Sequence, residues 1–132
     1  MTRIEEGILD TSAVILIGQI PSTALPANPR ITSITLAELA VGPLAAKDEK
    51  ERLIRQARLL HAGADFDPIP FDDRAAMVFG TVSANLRRLG RKSAARTYDA
   101  LIAAVAISRG LPLFTANPGD FEGIDSLVLH KV

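Results

Sequence analysis

"GILDTSAVILIG", residues 7–18, places one aspartate inside a run that is otherwise apolar, small or hydroxylic. Ile8-Leu9 reads as the end of a buried strand, and Ala13 to Ile17 as the start of a helix. Asp10 then stands at the carboxyl end of a strand, just before a helix N-terminus. Two roles fit that position. Asp, Ser and Thr are favoured helix N-caps because their side-chain oxygens accept from free N–H groups. In open α/β sheets, the carboxyl ends of strands are also where ligands bind.

The rest of the chain extends the pattern. "GQIPSTALPANPR" (18–30) holds three prolines and reads as a surface loop. "RITSI" (30–34) follows as a short strand. Thr35 then caps a helix through "LAELAVGPLAAK", with Pro43 kinking or ending its first half. "DEKERLIRQARLLHAG" (48–63) is amphipathic, with Leu53, Ala57 and Leu60 on one face and Gly63 as its terminator. "DFDPIPF" (65–71) reads as a short strand near a sheet edge, given its prolines. Asp72 and Asp73 look like caps for "RAAMVFGTVSANLRRLG". "TYDALIAAVAISRG" (97–110) is apolar on nearly every face and should be buried. "LPLFT" is a strand, "ANPGDFEG" a loop and "LVLHKV" a last strand. Alternation of this kind predicts α/β architecture with a mostly parallel sheet covered on both faces.

Composition narrows the chemistry. The 132 residues suit one domain spanning 1–132, and 48% hydrophobic with 23% charged residues is an ordinary globular balance. No cysteine is present, so thiolate metal sites and cysteine nucleophiles are excluded, and a reducing cytoplasm is the compartment expected. Two distant histidines argue against a histidine zinc site. No apolar run is long enough for a membrane span, and "MTRIEEG" is acidic and too short for a signal peptide. The net charge is zero, yet "LRRLGRKSAAR" (86–96) gathers Arg87, Arg88, Arg91, Lys92 and Arg96, five of the fifteen basic residues. This is either a solvated helix end or a phosphate-binding patch.

Asp10 has partners in the pattern. Glu38 lies among Leu36, Ala37, Leu39 and Ala40, where a carboxylate is costly unless paired, metal-bound or on an exposed stripe. Asp99 opens the most apolar helix, where it would also complement the helix dipole. Asn117 and Asp120 follow a strand and are ordinary loop residues taken singly. In a parallel sheet these positions share one edge. Three or four carboxyl groups there repel unless a cation sits between them, and oxygen-only ligands select Mg²⁺ or Mn²⁺. The chemistry that follows is metal-assisted phosphodiester cleavage.

"ILDTSAV", "TLAEL", "LRRLG" and "YDALIAAVAISRGLPLFTANPGDF" together resemble the PIN domain, and more narrowly the VapC-type toxins of toxin–antitoxin pairs. The resemblance covers about Ile8 to Val128. It implies a three-layer α/β/α sandwich, a Mg²⁺- or Mn²⁺-dependent endoribonuclease cleaving RNA, and a homodimer held inactive by a VapB-type antitoxin. It further implies that Asp10 and Asp99 bind the metal, that Glu38 and Asp120 complete the catalytic pocket, and that Ser12, Thr11 and Asn117 hydrogen-bond within it. Asn117 takes a slot where the family pattern has Asp or Asn, which leaves one or two metal ions open. The basic segment would supply an RNA-binding surface. Helices within "GPLAAKDEKERLIRQARLL" (42–60) either pack wholly on the sheet or leave a groove for a partner helix.

Other readings are a PIN-like module that binds RNA or protein without cleaving, motivated by Asn117, and a phosphoacceptor domain or aspartyl-nucleophile phosphatase. The last two fit poorly. "LPLFTANP" has no lysine, and Ser12 stands where the phosphatase needs a second aspartate.

Overall fold

The computed structural model describes residues 3–91 and 96–132. Four strands form one parallel sheet in the order β2-β1-β3-β4: β1 (Glu6–Leu9), β2 (Asn28–Arg30), β3 (Leu113–Thr115) and β4 (Leu129–Lys131). Among the described residues five α-helices cover it: α1 (Thr11–Ile15), α2 (Ser33–Val41), α3 (Glu49–Asp65), α4 (Asp73–Arg88) and α5 (Thr97–Arg109).

The strand period of two sorts the core into two layers. In β1, Ile8 joins α4 and α5 on one face, and Leu9 joins α1, α2 and α3 on the other. Their β3 neighbours repeat the split, with Leu113 on the first face and Phe114 on the second. The three-layer α/β/α sandwich follows. Helix α5 fits against the sheet because Ala100, Ala103, Ala104 and Ala106 are small and fully covered along with Ile102 and Val105. It ends at Gly110, whose φ of 65° is the left-handed C-cap that glycine adopts without steric cost.

Several local readings change. The second strand lies at 28–30, not 30–34, because the Thr32 hydroxyl accepts from the Thr35 N–H at 3.3 Å and begins the helix there. Thr35 is buried inside α2 and is not the cap. Helix α3 passes Gly63, which has open space around it, and stops at Asp65. Its terminator is the extended Phe66 followed by Asp67-Pro68, since the residue before proline disfavours helix. The expected strand at 65–71 shrinks to one bridge, Ile69 with Thr32. Pro68 and Pro70 carry no N–H, so only Ile69 pairs in both directions, donating to Ile31 O and accepting from Ser33 N, each at 2.9 Å. Leu53 and Leu60 of α3 do not pack on the sheet; they are 54% and 62% exposed. Pro43 behaves as expected: α2 stops at Val41 and a 3₁₀ turn takes over at Gly42–Ala45.

The loop after β3 is anchored to α4. Asn85 is buried and donates from Nδ2 to Asp125 Oδ2, while the Asp125 N–H donates back to Asn85 Oδ1, both at 3.1 Å.

Close approach governs Gly7 of β1. A Cβ there would lie 2.5 Å from Phe114 Cε1 and 2.9 Å from Cδ1. The Phe114 ring is buried and stacked on His130 at 4.9 Å, so it has no room to retreat. Gly7→Ala should therefore cost about 1–3 kcal/mol through overpacking, read as a lower urea midpoint with an unchanged slope.

Candidate active site

Asp10 follows β1 directly, is 3% exposed, and is the N-cap of α1. Oδ1 accepts from the Ala13 N–H at 2.9 Å, capping α1, and from Ser12 Oγ at 2.7 Å. Oδ2 accepts from Thr115 Oγ1 at 2.6 Å. Parallel pairing supplies the last contact: the Asp10 N–H donates to Phe114 O at 3.0 Å, which sets the end of β3 beside the end of β1. A carboxylate offers about four lone-pair positions. Three are taken, so one on Oδ2 stays open.

The surrounding hydroxyls are fixed in direction. Ser12 Oγ gives its proton to Asp10 and accepts from the Ala116 N–H at 3.1 Å. Thr115 Oγ1 gives its proton to Asp10 and accepts from the Asn117 N–H at 2.9 Å. A second pair of groups adjoins them. Thr11 Oγ1 donates to Glu38 Oε1 at 2.6 Å and therefore accepts from Thr35 Oγ1 at 3.0 Å.

Electrostatics tie Glu38, Asp99 and Asp120 to Asp10. Burial raises the Glu38 carboxyl above its ordinary range, the Thr11 bond opposes that rise, and the Asp10 charge adds to it. Asp99, in the first turn of α5, is pushed from its ordinary 3.8 to about 7. Burial is the main cause, followed by the charges of Asp120, Asp10 and Glu38, with Arg96 acting the other way. One group thus senses all three other acids. Asp120 lies in the 3₁₀ turn Pro118–Asp120 and binds Arg96 Nη1 through Oδ1 at 2.7 Å.

The carboxylates are neighbours without forming a closed cage. Among the described residues, no three acidic or imidazole side chains converge on one ligating point. That is compatible with Mg²⁺, which keeps several waters and takes one or two carboxylates. The donors are all hard oxygens, and their mutual repulsion is what a cation would relieve.

The outlying residues divide. Asn117 is exposed, and its side-chain amide has no hydrogen-bond partner among the described residues. Arg87 and Arg88 are exposed in the last turn of α4, with Arg88 3.4 Å from Asp125. Arg91 donates to the Asp120 carbonyl at 3.3 Å and Arg96 binds its carboxylate, so these two edge the acidic cluster. Lys92 lies outside the described residues. Sequence reasoning missed Thr115 and Thr35 as pocket members. Thr115 was visible as the polar residue closing "LPLFT"; Thr35 was masked by its reading as a cap.

Two hollows lie along α3, the first of them reaching Glu38. One of about 390 Å³ is lined by Thr11, Glu38, Gly42, Arg55 and Arg58. A second, of about 400 Å³, is an apolar groove between α1 and α3 with Val14, Ile15, Ile54, Ala57 and Ala62 in its walls.

Comparison with known proteins agrees with this arrangement. The PIN domain family model matches residues 8–127. Ribonuclease VapC5 of Mycobacterium tuberculosis is 39% identical over 122 residues, covering 90% of this chain and 87% of that protein. Ribonuclease VapC of Rickettsia bellii is 32% identical, covering 95% of each. The solved structure of VapBC-5, a member of the VapBC family of toxin–antitoxin systems from Mycobacterium tuberculosis, superposes with a TM-score of 0.82 at 37% identity, covering 96% of this chain and 98% of that one. The chain belongs to the PIN-domain family, in its VapC group.

Proposed function

We propose that this chain is the toxin of a type II toxin–antitoxin pair and acts as a divalent-cation-dependent endoribonuclease, with Mg²⁺ or Mn²⁺ as the ion. The observation that carries the reading is the gathering of Asp10, Glu38, Asp99 and Asp120 at the carboxyl edge of the sheet, with Asp10 buried and fixed by Ser12 and Thr115, and Asp99 raised to about 7 by burial and the three neighbouring acids. Family membership and the ribonuclease names of the relatives give RNA as the substrate class.

Asp10 and Asp99 are the groups that would hold the ion, with Asp10 using the open position on Oδ2. When bound, the ion supplies an activated water and offsets charge on the scissile phosphate. Ser12 and Thr115 fix the Asp10 carboxylate so that it does not reorient during reaction. Thr11 holds Glu38 at the pocket wall, where its raised pKa suits it to exchange a proton with the attacking water or the leaving oxygen. Arg96 and Arg91 keep Asp120 in place, and Arg87 and Arg88 offer cations to the phosphate backbone.

The apolar groove between α1 and α3, with Leu53 and Leu60 exposed on α3, suits an amphipathic helix of a VapB-type antitoxin. The structural relative is itself a VapBC system. A homodimer completes the expected assembly.

The purified chain should cut total RNA into discrete fragments with Mg²⁺ or Mn²⁺ and not in EDTA. Asp10→Asn and Asp99→Asn should each lower the rate by about a hundredfold or more, since even groups supporting a metal ligand are worth ten- to hundredfold. Cleavage that survives both substitutions overturns the mechanism. Ion binding without cleavage by the native chain favours a binding module.

Stability should show the same coupling. A raised carboxyl favours the folded state while protonated, so its contribution is present below the ordinary 3.8 and is lost as pH rises through about 7. In EDTA, Asp99→Asn should therefore gain on the native chain between about pH 4 and 7 and hold that gain above it. Saturating Mg²⁺ should narrow the gap by binding the native fold. Urea midpoints of both proteins across pH check this, and parallel curves would refute it.

A further inference from the structure

Arginines in this fold are almost all committed. Arg30 binds Glu6, Arg52 binds Glu49, Arg96 binds Asp120 and Arg109 lies near Asp72. Arg3 and Arg91 reach backbone carbonyls. Arg74 and Arg87 are exposed. Arg58 of α3 differs: it is half-buried, and no carboxylate or carbonyl partners it among the described residues.

Its surroundings make that vacancy specific. Arg58 lines the hollow that also holds Thr11 and Glu38. Arg55, one turn earlier on the same face of α3, lines it too but is fully occupied. Arg55 donates from Nη1 to Gly42 O at 2.9 Å and pairs with Glu51 through Nη2. Glu38 does not pair with Arg58 either: Glu38 Oε1 accepts from Thr11 Oγ1, and no ion pair joins the two side chains among the described residues. The Arg58 side chain also borders the apolar groove containing Val14 and Ile15. Its methylene stem can cover apolar surface there while the guanidinium stays in the polar hollow.

Position in the sheet supplies the direction. Glu38 is on α2, which follows β2, and Asp120 follows β3, with β1 and Asp10 between them. Arg91 and Arg96 mark the β3 side of the acidic cluster. Arg58 marks the β2 side. A chain of phosphates crossing the carboxyl edge of the sheet would meet cations at both ends and the acids in the middle.

We infer that Arg58 is a substrate-binding residue that holds an RNA backbone phosphate on the Glu38 side of the cluster, beside the phosphate that is cut. The inference rests on the ribonuclease reading above. Guanidinium geometry favours bidentate bonding to phosphate oxygens, and the hollow has room for the sugar–phosphate backbone.

The test separates this from cleavage itself. Binding of a fluorescein-labelled single-stranded RNA is followed by anisotropy in the Asp99→Asn background, over a range of salt. Arg58→Ala should raise Kd about tenfold, the usual weight of a charge-assisted hydrogen bond. It should also reduce the slope of log K against log salt by about 0.7, the value for one phosphate on a single strand. Arg58→Lys should restore the slope and recover only part of the affinity. In the otherwise native chain, Arg58→Ala should raise KM more than it lowers kcat. Lys50→Ala removes one exposed charge from the same helix and should change little.

An unchanged Kd and slope for Arg58→Ala overturns the assignment, as does an effect equal to that of Lys50→Ala. Unchanged RNA binding with weakened co-purification of the antitoxin would assign Arg58 to the protein partner instead. If the native chain binds RNA through Arg58 but does not cut it, the ribonuclease reading fails while the binding site stands.

Discussion

The buried carboxylate of Asp10 is the constraint on which the site depends. It begins α1, terminates β1 and grips the last residue of β3 through Thr115. A fully covered carboxylate is costly unless its oxygens are bonded. Here three donors bond it and one position stays open. The same bonds that make its burial tolerable fix where that open position points, so folding and preorganisation are one event. The exchange of β1 and β3 side chains between two cores explains why the register is rigid. Slipping either strand by one residue would move Ile8, Leu9, Leu113 and Phe114 to the wrong faces.

Much of this was legible in the sequence. Asp10 at a strand end, the apolar helix carrying Asp99, and the alternation implying a parallel sheet all follow from local pattern. What sequence could not give is pairwise distance. Asp120 reads as a loop residue, yet Arg96 and Arg91 pin it beside Asp99 through contacts set by the packing of α4 on α5. The errors have physical causes of the same kind. Two prolines reduce 65–71 to one bridge, Thr32 captures the helix start from Thr35, and an open environment lets α3 pass Gly63. The two alternatives for the apolar face of α3, packed on the sheet or open to a partner, could not be separated in the sequence, because periodicity reports that a face is apolar and not what covers it.

A net charge of zero conceals a strong internal separation. Four acids occupy the carboxyl edge of the sheet while arginines occupy its two flanks. Arg96 is the cation that lowers the Asp99 carboxyl, and it does so while bound to Asp120, whose charge raises it. The pair therefore sets the charge of the site with two opposed contributions from one side. On the other side, Thr11 holds Glu38 by a neutral hydroxyl, which moderates the charge without cancelling it.

That asymmetry bears on how an electrostatically strained site coexists with a stable fold. If Arg58 paired with Glu38 as Arg96 pairs with Asp120, the cluster would be closer to neutral in the free protein, and both a cation and an incoming phosphate would first have to break ion pairs. Leaving Glu38 bonded to a hydroxyl and Arg58 unpaired keeps opposite charges adjacent but uncommitted. The free protein bears the resulting repulsion, and Asp99, raised mainly by burial and then by the charges of Asp120, Asp10 and Glu38, can take up a proton near neutral pH. Binding an ion and an anionic backbone together removes that repulsion from both sides, so the two ligands should favour each other's binding without any movement of the fold.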